Sequence, residues 1–73
     1  MAHKVIYDAL IKKYEVDIAD ASAKITILLT DTRIIPEHID ITGEIDKLLG
    51  KIEEAESTMA ILQRVYGVNM AIN

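Results

Sequence analysis

Residues 7–28, YDALIKKYEVDIADASAKITIL, and residues 45–66, IDKLLGKIEEAESTMAILQRVY, carry the two patterns that decide the fold. In the first, Tyr7, Ile11, Tyr14, Ile18, Ala21, Ile25 and Leu28 recur at alternating steps of four and three. In the second, Ile45, Leu48, Ile52, Ala55, Met59, Leu62 and Tyr66 do the same. Such steps line up one face of an α-helix. The stripes are mirrored about Pro36. Pairing residues whose numbers add to 73 puts one residue from each stripe in every layer of an antiparallel hairpin. Ala55 then meets Ile18 and Ala21 meets Ile52, small against large, as interdigitating helices require. These fourteen residues are the expected intrachain core of an all-α, two-helix antiparallel hairpin.

The expected single domain, 1–73, divides into helix one (about 4–31), a turn (about 32–42), helix two (about 43–66) and a tail (67–73). Within 25–35 the chain is rich in β-branched residues, and a short strand is the rival reading there. The absence of a second strand to pair with favours helix to about Asp31. Pro36 ends or opens an element, and either Asp40 or Thr42 can cap helix two. An earlier helical turn opening at Pro36 is a third possibility. Gly67 suits a left-handed C-cap after Tyr66.

A hairpin of this size cannot enclose a core. Each helix offers the other a single stripe, and below roughly 70–80 residues one core rarely supplies more than about 3–5 kcal/mol. Small folds add disulfides, metal or oligomerisation. The chain has no cysteine and no cluster with metal-ligand spacing, so oligomerisation remains. Helix one supplies the means: a second stripe, Val5, Ala9, Val16, Ala19, Ala23 and Ile27, interrupted by Lys12, lies nearly opposite the first. A helix apolar on two sides is buried on two sides. This stripe is the expected oligomer interface, joining two hairpins into a four-helix bundle. The architecture resembles that of small plasmid-encoded hairpin regulators that dimerise and bind RNA, a resemblance of architecture with no shared motif.

The charge balance points the other way. At net −4 and a pI near 4.9, the chain lacks the excess of lysine and arginine on which general nucleic-acid affinity rests. A local basic face of Lys4, Lys12, Lys13 and Arg64 is the exception to test. No signal-peptide pattern and no apolar run near 20 residues is present. The expected setting is therefore a soluble, cytoplasmic one without membrane contact.

Candidate chemistry is sparse. His3 and His38 lack inward-facing carboxylates at bundle metal-site spacing. The carboxylates Asp17, Asp20, Glu53 and Glu56 read as solvated flanks, with Lys24 and Lys47 in reach of intrahelical pairing. Ser22, Ser57 and the threonines have no base at catalytic spacing, and the glycines are too far apart for a phosphate loop. No catalytic, cofactor or metal site is expected. The tyrosines Tyr7, Tyr14 and Tyr66 read as bundle-end residues with buried rings and wet hydroxyls.

The expected function is that of a non-enzymatic structural or interaction protein, a homodimer by preference. The alternatives are an adaptor subunit that binds another protein through helix one, and a nucleic-acid-binding regulator of phage or mobile-element type.

Overall fold

A computed structural model describes the backbone of residues 2–30 and 40–72 and the side chains of residues 3–30 and 40–67. Two helices account for nearly all of it: α1, Ala2–Thr30, and α2, Ile41–Ile72. They lie antiparallel as a hairpin 52 Å long and about 16 Å across, and no strand occurs among the described residues. The expected turn, including Pro36 and His38, lies outside the described residues apart from its last three positions.

The β-branched stretch at the end of α1 is helical through Thr30. Thr26 donates its hydroxyl to the Ser22 carbonyl at 3.0 Å, and Thr30 donates to the Thr26 carbonyl at 2.6 Å. Bonding back by four residues satisfies the hydroxyls inside the helix and removes their competition with it.

Asp40 caps α2. Its side-chain Oδ1 accepts the Gly43 amide at 3.0 Å, and its carbonyl accepts the Glu44 amide at 2.9 Å. Thr42, the other sequence candidate, sits inside the helix and donates its hydroxyl to Asp40 Oδ1 at 2.9 Å. Helix two therefore begins at Ile41, two residues before the expected start.

The other end differs more. Gly67 has a helical backbone, not a left-handed one, and α2 continues through it to Ile72 where a tail was expected. What the glycine provides there is space. A methyl group at position 67 would lie 3.0 Å from the Tyr7 hydroxyl, so glycine leaves room for a tyrosine from the other helix.

That contact also fixes the register at the open end, close to the pairing in which numbers add to 73. Further along, Tyr14, Asp17 and Ala21 share a groove with Lys51, Ala55 and Thr58. Nearer the turn, Lys24 and Leu28 lie across from Glu44 and Leu48.

Burial follows the thinness of a two-helix core. Ala21, Leu48 and Ala55 are buried, with Ala21 only 1% exposed. Tyr7, Ile11, Tyr14, Ile18, Ile25, Leu28, Ile45, Ile52, Met59 and Leu62 are half-buried. Small residues are covered because they sit where the helices approach most closely, while larger ones protrude past the contact. Tyr66 is 54% exposed: Tyr7 fills the last layer by reaching Gly67, and Tyr66 turns to water. Leu10 and Ile41, outside the stripes as read from sequence, are half-buried as well.

Candidate interaction surface

The outer face of α1 is apolar and uncovered. Val5, Val16 and Ile27 are 69%, 64% and 46% exposed. Ala9, Ala19 and Ala23 between them are exposed too, and Ile6 adds to the same side. Val5, Ala9, Val16, Ala19 and Ala23 face away from α2 because their positions lie about half a turn from the core stripe, while Ile27 sits at the edge, lining the groove with Glu44, Leu48 and Lys51 of α2. Alanines among valines make a low surface, one that another backbone can approach closely.

The whole chain exposes 5712 Å², about 1,200 Å² more than the roughly 4,500 Å² of a compact folded monomer of its mass. Part of that excess belongs to any rod of this shape.

Charged residues line the flanks in pairs. Lys4 binds Asp8, Lys13 binds Asp17 and Lys24 binds Asp20, each at 3.0 Å across one helical turn, and Lys47 lies 3.6 Å from Glu44. The hydrogen bond that Lys13 donates to Asp17 holds its ammonium above its ordinary pKa, and the Asp17 charge adds to the effect. Lys13 also lies 5.5 Å from the Tyr14 ring centroid. All four pairs are exposed, so each contributes little to stability. Their effect on the basic face is greater: Lys4 and Lys13 are each matched by a carboxylate on the same helix. Among the described residues, Lys12 has no carboxylate within 4.0 Å.

The grooves between the helices are open troughs. The central one has Ala21 and Ala55 as its floor and Lys13, Asp17, Asp20, Lys51 and Glu54 along its rims. Such a trough leaves its carboxylates in water, where they lack the partly dry setting that general acid–base chemistry uses. Among the described residues, the Asp40 carboxyl is pushed down from its ordinary value, first by the Gly43 amide and then by the Thr42 hydroxyl. Both causes belong to its cap.

His3 is exposed near the start of α1. Among the described residues, no three His, Cys, Asp or Glu side chains are placed to hold a metal ion. None of the described helices is long and apolar enough to cross a membrane.

A second, smaller apolar patch was only partly visible in the sequence. Ile61, Val65 and Tyr66 are each about half exposed towards the C-terminal end of α2, and Leu49 is half exposed nearer its start. The four-residue step from Ile61 to Val65 places both on one side of α2; the exposure of Tyr66 has no local signal.

No protein-family model matches the chain, and no curated protein or solved structure matches it either.

Proposed function

We propose that this chain is a non-catalytic interaction protein that self-associates through the outer face of α1, joining two hairpins into a four-helix assembly. The observation that carries the reading is the exposed stripe Val5–Ala9–Val16–Ala19–Ala23–Ile27, interrupted by Lys12, on a helix whose other side already packs on α2.

The energetics allow it. Fully burying a valine or isoleucine side chain contributes about 1.5–3 kcal/mol. Scaled by the exposure of Val5, Ile6, Val16 and Ile27 and taken over two copies, that comes to about 7–14 kcal/mol. Association costs about 4–15 kcal/mol in lost freedom. The two are comparable, and the alanines tip the balance by allowing close packing. The expected product is a dimer whose population depends on protein concentration.

The adaptor reading uses the same face for a different protein. Behaviour of the isolated chain separates them, because a surface reserved for another protein leaves the chain monomeric. The nucleic-acid reading is weakened by the carboxylates that accompany Lys4 and Lys13.

The test is the double substitution Val16→Glu with Ala19→Glu, at two positions exposed in the hairpin. Four carboxylates then meet near the middle of the interface, and burying unpaired charge costs several kcal/mol per ion. The variant should run as the 8.1 kDa chain with its helicity kept. An oligomer of unchanged mass would place the interface elsewhere.

A further inference from the structure

We infer that the partner on the outer face of α1 is a second copy of this chain whose α1 runs antiparallel, with the dyad between residues 16 and 19. The inference rests on the self-association proposed above and specifies its geometry.

Charge sets the direction. Lys12 and Lys13 lie in the first half of α1 and Asp20 in the second. A parallel, in-register pair would set each lysine against its own copy and Asp20 against Asp20. Like charges that face one another across an interface disfavour that arrangement. An antiparallel pair sets the first half of one α1 against the second half of the other.

The register follows from the heptad steps. On the outer face the positions Ala9, Val16 and Ala23 alternate with Val5, Lys12 and Ala19. In antiparallel helix pairs each layer takes one residue from each of these series, as the α1–α2 contact also does. Two registers overlap nearly the whole helix.

In the first, Val16 packs on Ala19 of the second copy, and Lys12 lays its stem over the small Ala23 of the second copy. The adjoining flank then brings Lys13 to Asp20 of the second copy and Ile6 to Ile27 of the second copy. Lys13 already holds Asp17, and Asp20 already holds Lys24. The new contact would therefore link two existing pairs into one four-charge chain on each side of the dyad.

In the second register, shifted by one heptad, Lys13 meets Lys13 of the second copy, Glu15 meets its own copy and Ile6 meets Asp20. The first register sets Lys13 against Asp20 and Ile6 against Ile27, where the second opposes like charges.

The outer face of α1 lies opposite its α2 face, so the four helices form an open row with the two α1 helices at the centre. The α2 rim of the intrahairpin groove, Lys51 and Glu54, stays in water, while Lys13 and Asp20 on its α1 rim reach the second copy. A closed four-helix bundle would bury the α2 rim.

The chain has no cysteine, which makes disulfide mapping clean. Ala9→Cys and Thr26→Cys, two exposed positions, face one another across the proposed dimer. Each is far from its own copy. Equimolar mixing under mild oxidation should give the mixed 9–26 disulfide in at least about tenfold excess over either homodisulfide, with dimer mass before oxidation. A dominant Ala9→Cys homodisulfide, or a dimer that forms no disulfide in the mixture, overturns the antiparallel register while leaving self-association standing. A monomer overturns self-association itself.

A second pair of variants reads the register without oxidation. Ala23→Glu, which gains Lys12 of the second copy, should change the dimer dissociation constant by less than about threefold. Ala19→Glu, set against Val16, should raise it at least a hundredfold. Equal effects of the two would refute the register.

Discussion

Two glycines on α2 offer a direct reading of hairpin register. Gly50 lies exposed in mid-helix, and a methyl group there would meet nothing within 4 Å. Replacing it with alanine should therefore return the intrinsic helix preference in full, about 0.8–1 kcal/mol per chain. For a domain of this size that corresponds to a rise in Tm of about 4–8 °C per kcal/mol. Gly67 is helical too, but its methyl group would stand 3.0 Å from the Tyr7 hydroxyl and 3.8 Å from Gln63 Cβ. The neighbour must yield, so Gly67→Ala should stabilise by less than half as much. Tyr7→Phe removes the obstructing oxygen. In that background Gly67→Ala should recover the full effect, a coupling of about 0.5–1 kcal/mol in a double-mutant cycle. Urea unfolding followed by circular dichroism, at one fixed chain concentration so that mass action cancels, measures all four proteins. If Gly67→Ala stabilises as much as Gly50→Ala beside the native Tyr7, that ring does not rest on Gly67 and the register is wrong at the open end.

Other outcomes follow from the same geometry. Asp40→Ala should lower the Tm and fray the first turn of α2, read by amide exchange, whereas Asp40→Asn keeps an acceptor and most of the cap. The folded pKa of Asp40 lies below its ordinary value of 3.8. Its contribution is therefore present above that value and is lost as pH falls through the lower folded one; the Asn variant should lack this acid step. Ala21→Leu places three extra carbons where the chain is 1% exposed and should cost about 1–3 kcal/mol in chemical unfolding. Gel shift against RNA or DNA at low salt should show no binding, and a salt-dependent shift would revive the basic-face reading.

What the sequence made legible depended on how local the signal was. Stripes at steps of three and four need no tertiary knowledge, and the residues from Tyr7 to Leu28 and from Ile45 to Leu62 show the two helices directly. Caps were half legible. Asp40 and Thr42 are chemically equivalent candidates on paper, and they turn out to work together, one as the cap and the other as a donor to it. Gly67 misled because glycine has two uses that look the same in a sequence. It can end a helix through a left-handed backbone, or it can make room for a neighbour. Only the position of Tyr7, sixty residues earlier, distinguishes them. Tyr66 was misplaced for the same reason, since Tyr7 takes the layer both would share. The outer stripe of α1 was plain in the sequence, and its exposure in the hairpin is a separate fact.

Molar mass by light scattering on the unmodified chain, across a range of loading concentrations, is the most direct test. Self-association through α1 predicts a mass near twice 8.1 kDa at high concentration, falling towards the single-chain value on dilution. A folded, helical protein that stays at 8.1 kDa throughout would contradict it, and would leave the stripe from Val5 to Ile27 as a surface for a different protein.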